Sequence, residues 1–101
     1  MSRPPQLSPA EAYAAIQALL DEHDTISRTS HAQRRMLDRN FSFDDVRAVL
    51  RNGSVSPSAE WDDTFQNWKY TIRGHDCEGD DLGLVIALEP AFARITLITG
   101  F

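Results

Sequence analysis

Apolar positions recur with the period of an α-helix in the first half of the chain and with the period of a β-strand in the second half. Ser8-Pro9-Ala10-Glu11 has the composition of a capping box, with proline at the first helical position. These residues predict a first helix that runs to about Asp21. Its core-facing positions are Tyr13, Ile16, Leu19 and Leu20.

Two further helices are predicted from the residues at their ends. Thr29 can cap a helix over about 30–39, which Asn40 ends. Ser42 to Asp45 forms a second capping box, and the helix that it starts ends at Gly53. Three helices therefore occupy the N-terminal half of the chain.

The residues after the third helix have the pattern of strands. Pro57 weakens the first of these strands and confines it to a sheet edge, because proline cannot donate a backbone hydrogen bond. Phe101 is expected to fold back on the core. The four predicted strands cover about 55–61, 64–74, 82–88 and 94–99.

This order of elements predicts a single α+β domain over residues 8–101, preceded by a flexible tail over 1–7. Three N-terminal helices should pack on one face of a C-terminal antiparallel sheet of about four strands. Alternation directs Trp68, Tyr70 and Ile72 toward the helices. The open face of the sheet then carries Asn67, Lys69, Thr71 and Arg73.

The overall charge narrows the range of partners. Fifteen acidic residues against ten Lys and Arg give a net charge of −5, which argues against coating of nucleic acid, and no DNA partner is predicted. Residues 28–51 depart from this balance, with six bases against three acids. No run is long and apolar enough for a membrane span. Cys77 is the only cysteine, which fits a cytoplasmic protein without an internal disulfide.

A polar stripe on the second helix is a candidate binding surface. His31, Arg35 and Arg39 are spaced four residues apart and share one helix face. Such a stripe can hold phosphate groups. It can equally be a solvated helix face whose arginines pair with acids such as Asp38, and the sequence leaves both interpretations open.

The order and spacing of these elements resemble the domain of unknown function family 4258 over about residues 28–99. The family pattern joins His-Ala-x-x-Arg-Met-x-x-Arg, a capped helix, a strand that ends in Tyr-x-Ile-x-Gly, and two apolar strands. The matching residues are His31, Ala32, Arg35, Met36, Arg39, Asp45, Val46, Val49, Leu50, Gly53, Tyr70, Ile72 and Gly74, followed by 84–88 and 95–99.

That family is similar to the RelE-type toxin superfamily, which includes the MqsR and BrnT toxins. The resemblance implies a RelE-like fold and a toxin-type endoribonuclease that cuts RNA through the ribose 2′-hydroxyl. It also implies a partner antitoxin protein, and it implies neither a metal nor another cofactor.

Metal-free RNA cleavage needs a base, an acid and cations around the phosphate, and His, Lys and Arg can fill these roles. The sheet residues are expected to clamp the phosphate while an imidazole transfers protons, and a Trp at the rim can stack on a base. The candidate catalytic residues are His31, Lys69, Arg73 and His75. The candidate RNA-binding residues are Arg35, Arg39, Trp61 and Asn67.

Other readings of the same residues stay open. An exposed sheet face is ordinarily polar, so the row from Asn67 to Arg73 does not require a ligand. The histidines and Cys77 lack zinc spacing, and the acidic loop at 76–81 lacks the pattern of a calcium loop, so no metal site is predicted. The second hypothesis is a non-catalytic module that binds a protein through residues 28–51 or through a sheet edge.

Overall fold

The computed structural model describes residues 3–23, 26–89 and 93–101. Within these residues, three helices and six strands confirm the α+β class that the sequence predicts. The elements are α1 (Pro9–Glu22), β1 (Ile26–Arg28), α2 (Ser30–Arg39), α3 (Phe43–Asn52), β2 (Ser54–Val55), β3 (Glu60–Asp62), β4 (Asn67–His75), β5 (Asp81–Glu89) and β6 (Arg94–Gly100).

The helices begin at the predicted caps. The hydroxyl oxygens of Ser8 and Ser42 accept the amides of Glu11 and Asp45, and both capping boxes are complete. Asn40 ends α2 in the left-handed conformation, with φ of 54°, which asparagine tolerates better than most residues. Local side-chain chemistry therefore sets the bounds of these helices.

The sheet differs from the predicted four antiparallel strands. Its order is β1-β6-β5-β4-β2, β3 also pairs with β4, and β1 runs parallel to β6. β1 was missed because three residues are too few to show a period of two. The predicted strand at 55–61 is divided into β2 and β3 around Pro57, which lacks a backbone N–H.

One core joins the helices to alternate residues of the central strands. Helical and strand residues meet on the sheet face that carries Tyr70 and Ile72, so Lys69 and Arg73 lie on the opposite face. The buried core side chains are Ala12, Ile16, Leu20, Ala32, Met36, Phe41, Val46, Val49, Leu50, Tyr70, Ile72, Leu82, Leu84, Ile86, Leu88, Ile95 and Leu97.

Two aromatic residues lie elsewhere than predicted. Tyr13 is 39% exposed, and its hydroxyl donates to the carbonyl of Arg51, so it links α1 to the end of α3 instead of entering the core. Phe101 continues β6 and exchanges two backbone hydrogen bonds with Gly83. Directly paired residues share a sheet face, and Gly83 pairs with Arg73, so Phe101 covers the polar face.

Two glycines let the end of α3 pass close over β4. A Cβ on Gly74 would lie 2.8 Å from Cα of Gly53, and a Cβ on Gly53 would lie 2.7 Å from the side chain of Ile72. Neither glycine has a positive φ, so close approach and not backbone freedom explains both residues. This contact holds the last turn of α3 beside the end of β4.

The described part of the predicted tail, residues 3–7, contacts the sheet. The indole N–H of Trp68 donates to the carbonyl of Pro4 at 2.7 Å, and the amide of Leu7 donates to the hydroxyl of Tyr70 at 2.9 Å. Residues 1–2 lie outside the described residues. Mobility of the tail stays a prediction, and no pattern in residues 3–7 indicates these contacts.

Candidate functional site

A cleft of about 480 Å³ opens where the end of α2 meets the ends of β4 and β5. Three of the candidate residues, Arg39, Arg73 and His75, line this cleft together. The other lining residues are Gly74, Asp81, Leu82, Gly83 and Phe101.

The strand pairing places the basic residues of the cleft. Arg73 and His75 are two apart on β4, so their side chains leave the same face of the sheet. Arg73 lies opposite Gly83 and His75 lies opposite Asp81 on β5. Arg39 comes from the last turn of α2, so two distant parts of the chain supply the two guanidinium groups.

Phe101 forms one wall of the cleft beside Arg73. A Cβ on Gly83 would lie 2.6 Å from the Phe101 ring, so glycine leaves the space that the ring occupies. The guanidinium carbon of Arg73 lies 5.0 Å from the centroid of the same ring, which is the geometry of a cation–π contact. The ring therefore orients a charge that is otherwise exposed to solvent.

His75 faces a carboxylate across the hairpin. Its Nε2 lies 3.3 Å from Oδ1 of Asp81, and both side chains are largely exposed. The backbone of His75 is held by the side chain of Asn52 at the end of α3. The cleft thus combines two permanent positive charges with an imidazole and one carboxylate.

Five predicted site residues do not line this cleft, and three of them are His31, Arg35 and Lys69. His31 is exposed at the other end of α2, eight residues or about 12 Å along the helix from Arg39. The Nε of Arg35 donates to the carbonyl of Gly100 at 3.3 Å and so fastens α2 to the end of β6. Lys69 is paired with Asp62 at 3.7 Å, and both side chains are mostly buried.

The remaining two predicted RNA-binding residues also have intramolecular partners. Trp61 packs edge to face on Trp68, with ring centroids 5.3 Å apart, and its indole N–H donates to Asp63 at 2.8 Å. The guanidinium carbon of Arg3 lies over the ring of Trp61, 5.2 Å from its centroid. The amide of Asn67 donates to Glu89 at 3.3 Å.

Sequence reasoning missed Asp81, Phe101 and Asn52 as parts of this site. The sequence predicts Asp81 to be one acid of a hairpin loop and Phe101 to fold back on the core. The signal that could have placed Asp81 is the tight hairpin between β4 and β5, because its register sets the residue opposite His75.

The neighbouring hairpin loop carries the thiol of Cys77. Desolvation, then the hydrogen bond and the charge of Asp45, raise the pKa of this thiol. The residues that the structure describes contain no cluster of three or more His, Cys, Asp or Glu able to hold a metal ion. Among the same residues, no helix has the length and apolar character needed to cross a membrane.

Comparison with known protein families identifies the family of this chain. The chain belongs to the family described as Domain of unknown function (DUF4258), which it matches over residues 28–99. Two residues of the family pattern, Arg39 and Gly74, line the cleft, and Gly53 touches Gly74 beneath it. No curated protein and no solved structure matches the chain.

Proposed function

We propose that this chain is a toxin-type, metal-independent endoribonuclease whose site is the cleft between α2 and the β4–β5 hairpin. The observation that supports this proposal is the meeting of Arg39, Arg73 and His75 in one cleft. Guanidinium groups bind phosphate oxygens in a bidentate manner. An imidazole can accept or release a proton near neutral pH. These groups supply the base and the cations that metal-free cleavage of a phosphodiester requires.

The proposed reaction uses the ribose 2′-hydroxyl as the nucleophile. His75 accepts the proton of the 2′-hydroxyl while the 2′-oxygen forms a bond to phosphorus. The bond from phosphorus to the 5′-oxygen breaks, and the leaving oxygen takes a proton from water in the open cleft. The products are a 2′,3′-cyclic phosphate and a 5′-hydroxyl.

The other residues of the cleft stabilise this reaction. Arg39 and Arg73 neutralise the charge that grows on the phosphoryl oxygens. Asp81, at 3.3 Å from Nε2 of His75, orients the imidazole. The ring of Phe101 keeps Arg73 directed along the wall of the cleft.

A RelE-like architecture and a protein antitoxin belong to the same proposal. They are supported by the resemblance of residues 28–99 to a family that is similar to the RelE-type toxins, and by the α+β order of the elements. The antitoxin would neutralise the enzyme by covering the cleft. RNA would enter through the open mouth of this cleft, so a protein bound there would block it.

The test is cleavage of RNA by the purified chain and mapping of new 5′-ends in cells after brief induction. The expected result is discrete fragments with 5′-hydroxyl ends. Because one proton-transfer group contributes about 100-fold or more, His75→Gln should lower the rate by at least that factor. Arg73→Ala should lower the rate of cleavage by a similar factor.

Matched controls separate the cleft from general changes in charge. His31→Gln removes an exposed imidazole outside the cleft, and Arg34→Ala removes an exposed guanidinium on the same helix as Arg39. Both variants should cleave at the native rate. Lys69→Ala should lower Tm and retain cleavage, because its ammonium group is paired with Asp62. Native activity in His75→Gln would overturn the assignment of the cleft.

A non-catalytic module that binds a protein is the second candidate. The observation that favours it is Leu37, which is 77% exposed on α2 and lines a second cavity of about 310 Å³ with Met36 and Phe41. Intact RNA after induction of abundant folded protein would favour this candidate. Its direct test is binding of the product of the adjacent reading frame, which Leu37→Ser should abolish and His75→Gln should leave unchanged.

A further inference from the structure

An aromatic row on β3 and β4, formed by Trp61, Trp68 and Tyr70, holds the extended segment Arg3–Leu7. Trp68 donates its indole N–H to the carbonyl of Pro4 at 2.7 Å. The hydroxyl of Tyr70 accepts the amide of Leu7 at 2.9 Å. Arg3 lies over the ring of Trp61, with Cζ 5.2 Å from the centroid. This row is called the aromatic groove below.

The held segment has the chemistry of a proline-rich ligand. Pro4 and Pro5 fix φ and favour the extended polyproline conformation, which makes no internal hydrogen bonds and leaves its carbonyls free. Grooves lined by aromatic side chains recognise such segments because little conformational entropy is lost on binding. An indole N–H on a proline carbonyl is the polar contact that such recognition uses.

We propose that the aromatic groove is a recognition site for an extended, proline-rich segment of a partner protein, with a basic residue ahead of the prolines. Residues 3–7 occupy the groove as an internal ligand of the same chemistry. The site lies outside the cleft and does not depend on the proposed ribonuclease activity.

Charge favours a basic residue at the position of Arg3. The carboxylate of Asp63 accepts the indole N–H of Trp61 at 2.8 Å, so a negative charge lies at the edge of the ring that a cation covers. The edge-to-face contact with Trp68 fixes the orientation of that ring. A guanidinium or ammonium group on the ring therefore gains both a cation–π contact and a nearby carboxylate.

The internal segment does not fill the groove. A cavity of about 230 Å³ remains between the prolines and Leu7 on one side and Asn67, Trp68, Tyr70 and Leu88 on the other. A ligand with a larger apolar side chain can bury more apolar surface in this cavity than residues 3–7 do, and so can bind better.

The tethered segment should compete with a free peptide. A short tether gives an effective concentration of the order of 1 mM, so a peptide with a Kd of roughly 0.1 mM should bind about tenfold more weakly to the native chain than to a chain whose segment is released. The two tryptophans of the chain are both in the groove, so intrinsic fluorescence reports its occupancy directly.

The experiment titrates the blocked peptide acetyl-Arg-Pro-Pro-Gln-Leu-amide into the native full-length chain and into the full-length variant Pro4→Gly/Pro5→Gly. The variant should show a red-shifted tryptophan emission, since its internal segment is released. The peptide should reverse this shift and bind the variant about tenfold more tightly. A peptide with alanine in place of both prolines is the control and should bind at least fivefold more weakly.

Trp68→Phe, made in the background of the Pro4→Gly/Pro5→Gly variant, tests the recognition itself. It keeps an aromatic ring and removes the indole N–H, and Trp61 remains as the probe. The affinity for the peptide should fall about fivefold while circular dichroism stays unchanged. Equal binding of the alanine peptide, or no saturable signal with the folded glycine variant, would overturn the proposal. So would dimers of the native chain that the glycine variant lacks, because they would assign the groove to a second copy.

Discussion

The side-chain amide of Asn52 forms two hydrogen bonds with the backbone of His75. Its Nδ2 donates to the carbonyl of His75 at 2.8 Å, and its Oδ1 accepts the amide of His75 at 2.9 Å. β2 pairs with β4 only at Ile72 and Arg73, so it ends before it reaches this position. Asn52 therefore replaces the missing strand and fixes the backbone that carries the proposed proton-transfer group.

Asn52→Ala should lower the rate of RNA cleavage about tenfold and the free energy of unfolding by about 1 kcal/mol, because both backbone contacts of His75 are lost. Asn52→Asp can still accept from the amide of His75 but cannot donate to its carbonyl. Its rate of cleavage should therefore fall between that of the native chain and that of Asn52→Ala. Single-turnover rates and urea denaturation give the two readouts. A native rate in Asn52→Ala would show that His75 needs no such support.

Gly74→Ala should destabilise the chain by about 2 kcal/mol, or roughly 10 °C in Tm. The added Cβ would contact Oδ1 of Asn52 and lie 2.8 Å from Cα of Gly53, which is backbone and cannot move away cheaply. Gly79→Asn is the matched control, since Gly79 has open space around it and asparagine tolerates its φ of 85°. Thermal unfolding that is equal in both variants would contradict the close approach.

Asp45→Asn should increase the rate of alkylation of Cys77 by iodoacetamide about twofold at pH 8, because thiolate is the reactive form. Asp45 is one of the groups that raise the pKa of this thiol, and its Oδ1 accepts the amide of Cys77 at 3.1 Å. Asp38→Asn removes an exposed charge on α2 and serves as the control. An equal acceleration in both variants would point to net charge instead of the contact.

Acid should weaken the capping boxes of α1 and α3. Hydrogen bonds from backbone and hydroxyl groups of Ser8 lower the pKa of Glu11, and backbone amides of Ser42 and Cys77 lower the pKa of Asp45. The folded values lie below the ordinary ones of 4.5 and 3.8, so this stabilisation is complete above about pH 4.5 and is lost as the pH falls through the folded values. In the variant Glu11→Gln/Asp45→Asn, Tm should fall less steeply with pH below about pH 4.5 than in the native chain. An equal dependence of Tm on pH in both proteins would show that these two carboxylates do not cause the loss of stability in acid.

Arg73→Lys should reduce cleavage about tenfold and leave the salt dependence of RNA binding nearly unchanged. Lysine keeps the charge but loses the bidentate geometry and the planar contact with the ring of Phe101. Arg34→Lys should have no effect on either measurement. Loss of salt dependence in Arg73→Lys would instead indicate that the side chain had left the cleft.

The sequence predicted the parts of the fold that depend on local chemistry. Each helix begins where a Ser or Thr caps it, the alternation of apolar residues predicts β4, and a nearly continuous apolar run predicts β5. The sequence does not predict β1, because only its parallel pairing with β6 defines this strand. That pairing joins residues about 70 positions apart, and no local pattern records it.

The site was predicted only in part, for a related reason. Arg39, Arg73 and His75 were recognised as cationic or titratable groups, but their meeting depends on how α2 docks against the end of β4. His31 stays apart because it lies eight residues from Arg39 along α2, and the same docking directs Arg35 to a backbone carbonyl. Residue type therefore identified the chemistry, and only the tertiary structure could select among the candidates.

The backbone pairing of Phe101 with Gly83 has a consequence for synthesis of the chain. The cleft is lined by residues from α2, from the β4–β5 hairpin and from Phe101, which follows β6. A nascent chain that stops short of β6 therefore lacks the wall that Phe101 forms. The cleft therefore takes its complete shape only after β6 has joined the sheet and Phe101 has paired with Gly83.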